Sequence, residues 1–276
     1  MDFVTSADGT RIGFVKTGSG APLVLVTGAL NDHTSRSSGL GLAKFLEAHF
    51  TVFSYDRRGR GQSPETQPYG IEHEIEDLVA VIAHAVASEA VTLPLGDTHG
   101  AMVYGMSSGA QLALLAASAG APIIKLAMYE PPYFVDGTRS IAPDYAERLR
   151  AFVDAGQPGE AVALFMTEAV QMPAQVVDTM KKAPFWPHLA AFGPSLLHDA
   201  EIMGDGGLPD EEALARVTIP VTVIDGGASP EWMRAGSAAA AKAVPKGTYR
   251  TLPEQTHDVD PELLARVLVE VLDPNK

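Results

Sequence analysis

The 276-residue chain predicts an α/β fold built on a largely parallel sheet, and three observations lead there. Continuous apolar runs alternate with runs of helical periodicity along most of the chain. The apolar runs lack polar alternation, as do strands buried on both faces of a sheet. The alternation stops between about residues 143 and 216, where helix-like stretches follow one another without a strand pattern, so an all-helical insertion is expected there.

The elements follow in order. Phe3 to Ser6 and Arg11 to Lys16 flank Asp8-Gly9, a tight-turn pair, and read as a hairpin. Pro22 to Thr27 is an apolar strand ending at Gly28. A helix over Gly39 to Ala48 precedes a second buried strand, Thr51 to Tyr55, which runs into Asp56-Arg57-Arg58-Gly59-Arg60-Gly61-Gln62-Ser63. Ile75, Leu78, Val79, Ile82 and Val86 give helical periodicity to Glu72 to Val86. Ala101 to Gly105 is a short strand, Ser108 to Ala119 a helix of small residues, and Ile123 to Tyr129 a strand. Beyond the helical stretch come a strand at Val221 to Ile224, a helix at Glu231 to Ala243, a strand at Tyr249 to Leu252 and a last helix at Pro261 to Leu272. The chain shows no internal repeat and no low-complexity linker.

Composition narrows the function classes. The chain is 46% hydrophobic and 20% charged, with a formal charge of −14. So acidic a surface repels phosphate backbones, which argues against a nucleic-acid partner. There are no cysteines, which excludes disulfides, thiolate metal sites and a cysteine nucleophile. Met1 to Thr5 lacks the basic region of a signal peptide, and the Ala-rich run Ser237 to Val244 is too short to span a bilayer. A cytoplasmic protein without a membrane partner is therefore expected. No G-x-G-x-x-G opens the first helix, so no dinucleotide cofactor is indicated. Oligomeric state stays open, a homo-oligomer included.

The chemistry centres on Gly105-Met106-Ser107-Ser108-Gly109, between an apolar strand and a helix. A serine hydroxyl is a poor nucleophile and needs exposure, a base and an oxyanion site. A sharp strand-to-helix turn exposes the hydroxyl and aims the next amide at the developing oxyanion. The glycine spacing favours Ser107 over Ser108. Among eight histidines only His257 lies beyond residue 198, in a loop between a short strand and the last helix. It is the expected base.

Together, the Ser107 turn, the Tyr55 to Ser63 loop, the strand ending at Thr27-Gly28-Ala29 and the late His257 resemble the α/β-hydrolase superfamily over nearly the whole chain. Asn31-Asp32-His33 falls just after the oxyanion loop. The resemblance implies a mostly parallel eight-stranded sheet with helices on both faces. It implies a core of residues 1–133 and 217–276, and a helical cap of residues 134–216 inserted after the sixth strand. It further implies an oxyanion hole made by the Ala29 and Ser108 amides.

The triad acid departs from the common pattern. Aligning Gly226 with the usual glycine after the Val221 strand puts Ser229 where most relatives carry an aspartate. Asp225 and Glu231 flank that position. Glu130, at the end of the Ile123 to Tyr129 strand and 23 residues after Ser107, is the favoured acid, with Asp225 as the alternative. Haloalkane dehalogenases and fungal zearalenone lactonases place the acid at this strand end. Local similarity to the lactonases extends to Ser107 to Ala110, Glu130-Pro131-Pro132 and Gly227 to Pro230. In those enzymes a cap tryptophan touches substrate, and Trp186 falls in a matching place.

Leu30, Met106 and Pro131, beside the expected oxyanion donor, nucleophile and acid, join Trp186 as expected substrate contacts. Phe185, Met172, Met180, Trp232 and Met233 are further apolar candidates. Arg57, Arg58 and Arg60 read as a buried arginine–carboxylate network rather than an anion site. His33, His99, His188 and His198 lack metal-ligand spacing, and His73 with Asp77 supplies only two groups, so no metal is indicated. The expected activity is cofactor-independent hydrolysis of an apolar carboxylic ester or lactone through an acyl-enzyme on Ser107. A carbon–carbon hydrolase, a secondary-metabolite tailoring enzyme on the same triad, and a receptor-like binding protein stay open as alternatives.

Overall fold

The computed structural model describes residues 1–88, 100–135, 137 and 139–274. The described residues form eight strands: β1 Asp2–Thr5, β2 Arg11–Gly18, β3 Ala21–Val26, β4 Phe50–Tyr55, β5 Ala101–Met106, β6 Ile123–Tyr129, β7 Val221–Gly226 and β8 Gly247–Leu252. They make one sheet in the spatial order β1-β2-β4-β3-β5-β6-β7-β8. β2 pairs antiparallel with β1 and with β4, and the six strands from β4 to β8 are parallel. β3, β4 and β5 are buried at every residue, as their unbroken apolar character predicts.

Helices cover both faces. α1 Leu40–Leu46 and α11 Pro261–Val271 pack on one, around Leu42, Leu46, Leu264 and Leu268. α2 Ile71–Ser88, α3 Ser108–Ser118 and α10 Glu231–Ala243 pack on the other, around Leu78, Ile82, Leu112, Ala113 and Ala240. α11 starts where Asp260 accepts a hydrogen bond from the Leu263 amide and Pro261 occupies the first turn.

Between β6 and β7 lie α4 Tyr145–Asp154, α5 Pro158–Leu164, α6 Ala174–Met180, α7 Trp186–Ala190, α8 Leu196–Met203 and α9 Glu211–Ala215, with no strand among the described residues. Their shared core includes Leu149, Val162, Met166 and Leu196, and the β3–α1 loop residues Ala29 and Leu30 pack against it. α5 runs on into a π-helical turn, Phe165–Ala169. Such turns frequently occur at functional sites, and here Phe165, Met166 and Ala169 face the cavity described next.

Candidate active site

A cavity of about 380 Å³ opens at the carboxyl end of the sheet, where ligands bind in open parallel sheets. Ser107 and His257 both line it, as do Ala29, Leu30, Met106 and Ser108. Ser107 stands at the β5–α3 turn with φ 55° and ψ −126°. A non-glycine residue held there costs about 1–3 kcal/mol and persists only where its surroundings enforce it. The flanking glycines show how. A Cβ at Gly105 would lie 2.6 Å from the Gly109 carbonyl oxygen, and one at Gly109 would lie 2.5 Å from the Val26 and Thr27 carbonyl oxygens. Glycine at 105 thus lets β5 close onto the first turn of α3, and glycine at 109 lets α3 close onto the end of β3. Ser108 is the first residue of α3, so its amide has no intrahelical acceptor and points with the positive end of the helix dipole.

The histidine loop is tied to the neighbouring strands. The Tyr129 hydroxyl donates to the Thr256 carbonyl at 2.7 Å. His257 Nδ1 lies 2.8 Å from Glu130 Oε2, and the other Glu130 oxygen accepts from the Gly226 amide at 2.8 Å. Glu130 is fully buried and also has positive φ, 45°. Its amide donates to Ile224, while the Ser107 amide donates to Tyr129, so adjacent strand ends set nucleophile and carboxylate in register. Asp225 points elsewhere. It accepts from the Tyr249 hydroxyl and faces Arg234 Nε at 3.4 Å, toward β8 and α10. Ser229 is buried, its hydroxyl without a partner among the described residues, and Glu231 is exposed in the first turn of α10.

Two expected substrate contacts lie outside the cavity. Trp186 opens α7, and its ring is buried in the helical core, with Nε1 3.1 Å from the position of a Cβ at Gly159. The indole thus packs between α5 and α7. Pro131 is buried and is not part of the cavity lining, whereas the next proline, Pro132, lines it. Phe165 and Trp232 contribute aromatic wall, and five methionines share the lining: Met106, Met166, Met172, Met203 and Met233. Phe185 is exposed, and Met180 packs against the helical core.

The arginine loop is a buried ion network. Arg57 makes a paired contact with Glu74, at 2.7 and 2.8 Å, and also reaches Asp199. Arg58 holds Asp77 and Asp8, and Arg60 holds Asp199 at 2.7 Å. Burial alone would raise the Asp199 carboxyl, but Arg60 and Arg57 outweigh it and hold the group below the ordinary carboxylate range. Asp199, on α8, lines the cavity, and sequence reading missed it. Nothing in its local pattern separates it from other helix acids.

The histidines outside the cavity have local partners. His33 donates its amide to Asp56 and sets Nδ1 2.8 Å from the same oxygen. Asp32, His33 and Asp56 present ligand atoms within 4.8 Å of one another, and Asp56 is already occupied by His33 and the Gln62 amide. His73 faces Glu76, His198 stacks on Tyr69, and His188 meets Phe192 edge-on. His99 lies outside the described residues. No described helix is long and apolar enough to cross a membrane.

Comparison with known proteins agrees with this architecture. An alpha/beta hydrolase from Sphaerobacter thermophilus is 46% identical, with a TM-score of 0.87 over 98% of this chain and 100% of that one. A thermophilic esterase from Thermogutta terrifontis, 20% identical, has the same fold, with a TM-score of 0.68 over 99% and 97% of the two chains. A non-heme haloperoxidase from Rhodococcus erythropolis is 33% identical over 88 residues, which is 30% of each protein. The family model described as "Alpha/beta hydrolase family" matches residues 23–267. The chain therefore belongs to the alpha/beta hydrolase family.

Proposed function

We propose that the protein hydrolyses an apolar carboxylic ester or lactone through an acyl-enzyme on Ser107. The observation that carries this reading is the 2.8 Å contact between His257 Nδ1 and the buried Glu130, with His257 and Ser107 both lining one cavity. A carboxylate on Nδ1 keeps the proton there and leaves Nε2 free to take one from the serine. The Ser107 oxygen attacks the carbonyl carbon while its proton passes to His257. The charge on the carbonyl oxygen is met by the Ala29 and Ser108 amides. Collapse expels the alcohol, which takes the proton from His257, and water repeats the sequence to release the acid.

Residues 134–216 act as a cap that supplies Phe165, Met166 and Met203 to the acyl pocket. Methionine side chains adapt to ligand shape, so the pocket suits apolar acyl groups of varied outline. Trp232→Ala is expected to raise KM for an aryl ester about tenfold, the effect of losing one good apolar contact. Trp186→Phe should leave KM within twofold. Equal effects on KM would show that both rings touch substrate.

A fluorophosphonate probe tests the serine itself. The hydroxyl oxygen displaces fluoride from phosphorus, and mass analysis of the digested protein should find the adduct on the peptide bearing Ser107. Aryl esters should be hydrolysed by the same preparation. A protein that neither takes the label nor hydrolyses a panel of aryl esters and lactones is not a serine hydrolase.

A further inference from the structure

Both amides proposed for the oxyanion hole are anchored to the same buried ion cluster. The Gly28 carbonyl and the Ala29 N–H belong to one peptide group, and Arg60 Nη1 donates to that carbonyl at 2.7 Å. The Ser108 hydroxyl donates to Asp199 Oδ1 at 2.7 Å and accepts from Arg57 Nη1 at 3.3 Å. Asp199 joins the two sides, because its other oxygen takes Arg60 Nη2 at 2.7 Å. Arg57 Nη1 also reaches the Thr27 carbonyl at 3.3 Å, on the loop that leads to Ala29.

We propose that Arg60 and Asp199 are positioning residues that set both oxyanion amides, so that helix α8 docking on the core completes the oxyanion hole. This rests on the serine-hydrolase reading above. A donor on a peptide carbonyl polarises the N–H of the same peptide, which strengthens the Ala29 amide as a donor. The Asp199 carboxylate holds the Ser108 side chain and so fixes the rotation of the first α3 peptide. The cluster is buried, with Arg60 at 3% and Asp199 at 2% exposure. Its geometry is therefore already set before charge develops on the substrate, which is where such donors act. Asp199 comes from the segment between β6 and β7, 91 residues after Ser108. The site is thus complete only when that segment is seated.

The test is a kinetic cycle on an aryl ester, read below the melting temperature of every variant. Ser108→Ala removes the hydroxyl and keeps the backbone. Asp199→Asn removes the charge and keeps the shape. Each is expected to lower kcat about 10- to 100-fold, a fraction of the loss for deleting one oxyanion donor, with KM within threefold. The double variant should lose little more than the worse single variant, because both act through one contact. Fluorophosphonate labelling should slow in parallel.

If Ser108→Ala and Asp199→Asn keep kcat within twofold, the cluster is structural and the inference is overturned. Additive losses in the double variant would overturn it too. Should Asp199→Asn fail to fold, the Ser108→Ala values alone decide, through the kcat-against-KM split. A wild type that takes no label and cleaves no ester would instead defeat the hydrolase reading, which is a separate outcome.

Discussion

Glu130→Gln is expected to lower kcat on an aryl ester about 1,000- to 10,000-fold, with circular dichroism and melting temperature close to wild type. The reason lies in the two partners of the carboxylate. The Gly226 amide is a donor 2.8 Å from one oxygen, and His257 Nδ1 is 2.8 Å from the other. A glutamine must turn its oxygen to Gly226, because two N–H groups cannot bond each other. Its NH₂ then faces Nδ1, which must become an acceptor. The imidazole proton is driven to Nε2, the nitrogen that should receive the serine proton. The fold survives because size and shape are unchanged. Asp225→Asn is expected to cost less than about tenfold, since that carboxylate bonds Tyr249 and faces Arg234 rather than His257. A larger loss for Asp225→Asn than for Glu130→Gln would reverse the assignment of the acid.

Periodicity made the centre of the sheet legible because β3, β4 and β5 are short, apolar and buried on both faces. β6 and α10 have the limits their patterns predict, and most other ends shift by one or two residues, as frayed ends do. The turn at Ser107 was legible because close approach of α3 admits only glycine at 105, and close approach of the β3 end only glycine at 109, so the constraint leaves a local mark. Glu130 was readable from its place at the end of β6, one strand from Ser107. Asp199 was not. Its partners lie 139 and 142 residues away in the arginine loop, and a contact at that range has no local signature. The place of Trp186 was not legible for the complementary reason. A proline-flanked Phe-Trp pair marks a helix start as readily as a pocket wall, and only the packing of α7 on α5 decides between them.

The same long-range cluster makes Arg57 the residue whose loss should weaken the fold most. Its guanidinium is fully buried, with Glu74 and Asp199 beside it, themselves almost inaccessible. Arg57→Met keeps much of the volume but leaves Glu74 as a buried carboxylate without its cation. Breaking a buried pair from one side costs about 3–5 kcal/mol, to be read as a drop in unfolding free energy in urea at pH 7. The pH dependence carries the sign. Burial would raise the Glu74 carboxyl, yet Arg57 outweighs it and holds the folded value below the ordinary one, and Asp199 is held down likewise by Arg60 and Arg57. Their stabilising contribution is therefore complete above the unfolded carboxylate range, about 4, and is lost as pH falls through the depressed folded values. The deficit of Arg57→Met should be largest near neutrality and should shrink below about pH 4, where wild type loses the same term. Arg266, whose pair with Glu262 is exposed, serves as the comparison, and Arg266→Met should leave the urea midpoint unchanged. A deficit for Arg57→Met that stays under about 1 kcal/mol at pH 7, or that does not change with pH, would mean that packing rather than charge holds this cluster together.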